Sequence, residues 1–123
     1  MIIYSEQEGY ISPVGMVFHE GQDEQVKLPK VAVGVFSRHL FYHFAKNHPE
    51  LNCQEVGSLN CANSEREVYI MEYNGVSLTF FMAGVGGPLI ASDMEELHVH
   101  GVEKYVIFGN CGTLEHINDC SII

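Results

Sequence analysis

Residues 68–112 read VYIMEYNGVSLTFFMAGVGGPLIASDMEELHVHGVEKYVIFGNCG. Two β-prone runs, Val68 to Tyr73 and Val76 to Met82, flank Asn74-Gly75. Asn-Gly tolerates the positive φ angles of a two-residue hairpin turn, so the pair is a strong short-range hairpin signal. The second run stops at Gly84-Val-Gly-Gly-Pro88. Ile90, Met94 and Leu97 then recur at helical spacing, with Asp93, Glu95 and Glu96 expected off that apolar face, and the Glu95-Glu96 pair reads as a solvated face rather than an acid/base pair. Gly101 suits the position just past a helix end. Tyr105-Val-Ile-Phe108 is short and apolar and reads as a buried strand running into Gly109-Asn-Cys-Gly112.

The same grammar appears upstream. Val31-Ala-Val-Gly-Val-Phe36 is a second short apolar run, predicted to be a buried strand. Ser37 is a candidate N-cap, and Leu40, Phe41, Phe44 and Ala45 recur at helical spacing. Lys46 and His48 suit the last turn, and Pro49 stops the helix. The predicted order is strand, helix, a hairpin pair with a third, weakly marked strand, helix, strand. Helices alternating with apolar strands predict an α/β fold, three layers in α/β/α order around a mixed central sheet. Right-handed crossovers bring the glycine-rich strand ends to one edge of such a sheet, where α/β proteins bind ligands. Residues 1–29 lack periodicity and read as an irregular N-terminal arm, with the domain proper at 30–123. Ser121-Ile-Ile123 reads as the opening of a further strand.

Composition narrows the function. The length of 123 residues fits one domain, and 46% apolar content can build a core. Six Lys and Arg against sixteen Asp and Glu give a net charge of −10, which disfavours broad contact with nucleic-acid phosphates. No apolar run spans a bilayer, and the N-terminus has early acids and no basic region of a signal peptide. The four cysteines form no C-x-x-C pair or regular framework, so they are expected to be reduced and the protein cytoplasmic.

Three segments carry the candidate chemistry: Gly34 to Arg38, Gly84 to Pro88 and Gly109 to Gly112. Glycine lets backbone N–H groups approach a ligand, and Arg38 falls in the first turn of a helix, where the dipole already favours an anion. The plainer alternative is that these glycines only end strands and that Arg38 pairs with a surface carboxylate. His39 and His43 stand four apart on one helix, but no H-E-x-x-H pattern or third ligand accompanies them. His98 and His100, two apart, point to different helix faces. No metal is expected. Cys111, between two glycines, suits close packing or ligand contact better than nucleophilic catalysis. No G-x-S-x-G, P-loop or dinucleotide fingerprint is present.

Taken together, Gly84 to Leu97, Gly101 and Val106 to Leu114 resemble the nucleoside phosphorylases of the purine and uridine phosphorylase group, which share a fold with the methylthioadenosine nucleosidases. That family shows a Gly-x-Gly-x-Pro turn, a helix carrying Glu-Glu-Leu, a glycine, and a strand ending in Gly-Ser/Thr-Cys/Ala-Gly. The resemblance covers about Pro29 to Ile123. It implies phosphate binding by Gly34, Arg38 and Asn110, and nucleoside contact by Val85, Cys111 and Gly112. It implies no cofactor, phosphate as co-substrate, and a homo-oligomer. Val35 and Phe36 replace the family's Asp-Pro after the first glycine, and Ile107 stands where a second phosphate arginine is found. The segment Glu55 to Asn63 holds no arginine to lend to a neighbouring subunit. Family enzymes continue further, and their ribose-binding Met-Glu segment and catalytic acid lie in that second half. The fold is thus expected to be incomplete at the C-terminus and the 123-residue chain inactive by itself. The complete reaction implied is phosphorolysis of a nucleoside to base and pentose 1-phosphate. The alternatives are a hydrolytic nucleosidase of the same fold and a truncated ligand-binding or assembly module.

Overall fold

A computed structural model describes residues 26–61 and 64–110 of the chain. Cys111, Gly112, most of the N-terminal arm and Ser121 to Ile123 lie outside them. The described elements are β1 (Val31–Val35), α1 (Arg38–Asn47), a 3-10 turn (Pro49–Leu51), β2 (Gln54–Cys61), β3 (Ser64–Tyr73), β4 (Val76–Met82), α2 (Gly87–Val99) and β5 (Lys104–Phe108). They form a five-stranded sheet in the order β2-β3-β4-β1-β5. The β2-β3 and β3-β4 pairs are antiparallel, whereas β1 pairs parallel with both β4 and β5. The expected mixed α/β sheet is therefore present.

Local chemistry explains the elements. Asn74 and Gly75 sit at φ 50° and 76°, the left-handed angles that the β3-β4 turn demands. Ser37 caps α1, its Oγ accepting from the Leu40 N–H at 3.2 Å. Gly101, at φ 107°, ends the chain's passage out of α2. The third strand of this region, β2, precedes the hairpin instead of following it as the predicted order had it; it lies at a sheet edge and carries a register shift between Glu55 and Gly57. A polar edge strand with a bulge hides the two-residue alternation that marks a strand in sequence. β3 also begins earlier than its apolar run, at Ser64, because its first turn of pairing is made by polar residues such as Glu65, Arg66 and Glu67.

Each face of the sheet has its own core. Phe41 of α1 is fully buried against Val35, Tyr69, Met71, Phe80 and Met82. Leu97 of α2 is fully buried on the other side with Ala32, Leu59, Val68, Phe81 and Val102. Helices on opposite faces complete the three layers. Leu28, just before β1, joins the second core and donates its N–H to the His100 carbonyl at 2.8 Å. Two further expectations fail. β5 is not a buried strand: it lies at the edge of the described sheet with β1 as its neighbour, and Val106 and Phe108 are 46% and 59% exposed. The other concerns α2. Asp93 and Glu96 are 2% and 4% exposed, so they belong to the inner face rather than to solvent. Glu95 does face solvent.

Candidate functional site

β4, β1 and β5 are neighbours and parallel, so their C-terminal ends meet at one sheet edge. Gly34 pairs with Phe81 of β4 and Ile107 of β5, and Val35 pairs with Met82 and Phe108. The Ala83 N–H still bonds to the Val35 carbonyl at 2.9 Å. Beyond this level the chains part. Gly34 to Arg38 turns toward α1 on one face, and Gly84 to Gly87 turns toward α2 on the other. Adjacent parallel strands whose connections leave to opposite faces open a crevice between the two turns, the general ligand position of open α/β sheets.

The site residues foreseen from sequence divide into two groups. Arg38, Val85 and Asn110 are exposed at this edge. Val85, at 81% exposure, projects from the Gly84–Gly87 turn with little apolar cover. Arg38 opens α1, whose first turn holds no acid, and it makes no ion pair among the described residues. The α2 N-terminus has Gly86 at its cap, with no side chain satisfying its free N–H groups. Two helix N-termini of partial positive charge thus border the same crevice. Gly34, by contrast, is buried within β1. A Cβ there would lie 2.7 Å from Cζ of Phe81, so packing alone requires glycine at this position. A Cβ on Gly109 would lie 2.9 Å from the Phe36 ring, which brings the β1 and β5 ends into contact.

A buried polar network supports the second turn. Arg66 on β3 and Asp93 on α2, 5% and 2% exposed, form a bidentate pair with Nη1–Oδ2 at 2.6 Å and Nη2–Oδ1 at 2.7 Å. Asp93 Oδ2 also accepts the Gly84 N–H at 2.9 Å, and Arg66 Nη1 donates to the Met82 carbonyl at 3.3 Å. Glu96, one turn along α2, leaves Oε2 buried without a hydrogen-bond partner among the described residues. Burial, with the neighbouring Asp93 charge, pushes its carboxyl above the ordinary range while Arg66 opposes the shift. Reading by residue type missed this network. Its signal was phase: Arg66 shares a strand face with Val68 and Ile70, and Asp93 lies one turn from Leu97 on the inner face of α2.

The histidines go elsewhere. His48 Nδ1 lies 2.6 Å from Glu50 and its Nε2 3.2 Å from Nε2 of His43. His98 and His100 turn their Nδ1 atoms to the backbone carbonyls of Val102 and Val26. Among the described residues no group of three or more His, Cys, Asp or Glu side chains could hold a metal ion. On the α1 face, Tyr42 donates to Glu67, and Tyr69 donates to Glu55 at 3.2 Å. Burial, then Glu55, pushes the Tyr69 hydroxyl up to about 12. No described helix is long and apolar enough to cross a membrane.

Comparison with known proteins places the fold. No protein-family model matches the chain, and no curated protein matches it in sequence. Among solved structures, a purine nucleoside phosphorylase from Toxoplasma gondii in complex with immucillin-H superposes with a TM-score of 0.56 at 21% identity. The match covers 76% of this chain and 38% of that one. A uridine phosphorylase from Vibrio fischeri superposes with a TM-score of 0.55 at 17% identity, covering 72% of this chain and 38% of that one. The fold is nucleoside phosphorylase-like, and the matched part spans well under half of either neighbour.

Proposed function

We propose that this protein acts on a nucleoside at the edge formed by the ends of β1, β4 and β5, with inorganic phosphate as co-substrate. The observation that carries the reading is the convergence of three glycine-rich strand ends beside Arg38 and two helix N-termini. Arg38 supplies the cation for phosphate, and the Asn110 amide donates a hydrogen bond to it. Val85 offers an apolar contact to the sugar. Cys111 and Gly112, in the positions that border the base in the resembling family, complete the proposed nucleoside contacts. In the reaction a phosphate oxygen bonds to the anomeric carbon and the C–N glycosidic bond breaks. The base leaves with that electron pair and gains a proton. Holding phosphate beneath the anomeric carbon is the positioning part of this chemistry. The ribose-binding and proton-donating roles are assigned to none of these residues, and the match covers 38% of each neighbour. The protein is proposed to assemble as a homo-oligomer, and a monomer in sedimentation at micromolar concentration would contradict this.

The test is nucleoside cleavage by the protein expressed from its own gene, with and without phosphate. Phosphate-dependent release of base and pentose 1-phosphate from inosine or uridine supports the proposal. Arg38→Ala should then raise the KM for phosphate more than the KM for nucleoside. Absence of cleavage across a purine and pyrimidine panel refutes it. Hydrolysis is the second reading, favoured by Ile107 in place of a second phosphate cation. It wins if cleavage proceeds at a rate indifferent to phosphate.

A further inference from the structure

The Gly84–Gly87 turn carries the most exposed candidate contact, Val85, yet its backbone is not left to itself. At the end of β4 the Ala83 N–H makes the last sheet bond, to Val35. The next N–H, that of Gly84, leaves the sheet and binds Asp93 Oδ2. Two residues earlier, the Met82 carbonyl accepts from Arg66. The ion pair therefore grips the strand end on both sides of the point where the turn begins. Among the described residues no other side chain hydrogen-bonds this turn. Gly86 is held at φ 109°, a backbone state open to glycine alone, and Gly84 has no room for a Cβ, which would collide first with the Leu89 side chain and then lie 2.8 Å from Arg66 Nη1.

Buried ion pairs are poor stabilisers. Desolvation offsets most of their attraction, and well-packed apolar replacements are often neutral or better. A pair buried this deeply, bidentate, and bonded to the backbone of a ligand-facing turn calls for another role. We propose that Arg66 and Asp93 are positioning residues that hold the Gly84–Gly87 turn, and Val85 with it, in the conformation that receives the ligand. The nature of that ligand rests on the nucleoside reading above, whereas the tether does not.

The experiment separates the two. Arg66→Met combined with Asp93→Leu removes both charges and fills the space with apolar atoms. The proposal expects this variant to unfold at or near the wild-type denaturant midpoint. It expects amide hydrogen exchange at Gly84, Val85 and Gly86 to accelerate by about 10-fold or more, while Ala32 and Phe81 keep wild-type protection. Asp93→Asn, which retains an acceptor for Gly84 but loses the charge pairing, should give a smaller acceleration at the same amides. Nucleoside affinity, measured in parallel by titration with inosine and uridine, should weaken in both variants in the same order. Unchanged exchange at the turn in the folded double variant overturns the tether, whatever the titration shows. A double variant that loses its stability makes the pair a structural element and likewise overturns it. A wild-type protein that binds neither nucleoside refutes the functional reading and leaves the exchange result to judge the tether.

Discussion

Replacing Gly34 by alanine tests whether this glycine serves the strand before it serves any ligand. The new Cβ would meet Cζ of Phe81 at 2.7 Å and Cε1 at 2.9 Å. Carbon atoms in contact prefer about 3.5–4.0 Å, so the ring must retreat by about 1 Å. It has nowhere easy to go. Phe81 is fully buried and packs in the core with Leu59, Val68 and Leu97. Overpacking of this kind costs about 1–3 kcal/mol. Phe81→Leu removes the clashing ring atoms and should cost about 1 kcal/mol or more by itself through lost packing. In the double variant the smaller side chain accepts the methyl, so the two losses should not add. We expect a coupling of about 1–2 kcal/mol in the rescuing direction, well outside the ~0.5 kcal/mol tolerance for independent sites. The chain has no tryptophan, so urea unfolding is best followed by circular dichroism. The measurements are made without phosphate. Additive losses, or a Gly34→Ala variant as stable as wild type, would refute the packing argument and return Gly34 to a purely ligand-facing role.

Glu96→Gln should be more stable than wild type at pH 7. A carboxyl raised above its ordinary value contributes stability that is present in acid and lost as pH rises through its folded value. The advantage should therefore shrink toward pH 4, and an equal gap at both pH values would show that charge is not the cause. Ser37→Ala removes the cap on α1 and should cost about 1 kcal/mol, whereas Ser37→Gly should cost only a few tenths by thermal unfolding. Equal losses in the two would place the effect outside capping. Leu97→Ala empties the centre of the α2 face and should cost about 2–5 kcal/mol in denaturant unfolding. A loss under about 1 kcal/mol would mean that the site collapses around the deletion.

Much of the architecture was legible in the chain because its signals are local. Asn74-Gly75 selects a hairpin turn through backbone angles that few other residues accept. Ser37 and Pro49 bracket α1, and the short apolar runs at 31–36 and 105–108 mark strands beside helices, although their apolar character does not tell the inner strand β1 from the edge strand β5. The order of these elements, with the right-handed crossover, already brings three glycine-rich strand ends to one edge. Position at a helix start singled out Arg38, whereas Val85 and Asn110 were named through the family resemblance; all three lie exposed at that edge.

Tertiary structure decided what depends on distant partners. β2 became a strand because β3 offered it a ladder, not because its own sequence alternates. Phe81 requires glycine at position 34 whatever that residue does for a ligand, and this contact joins residues far apart in the chain. Asp93 reads in sequence as an acid off the apolar face of its helix. It is buried because Arg66, 27 residues away, meets it between β3 and α2 and because Gly84 gives it a donor. A charge can enter a core only where a counter-charge and hydrogen bonds are waiting. Residue type states that demand, and the folded chain alone shows where it is met.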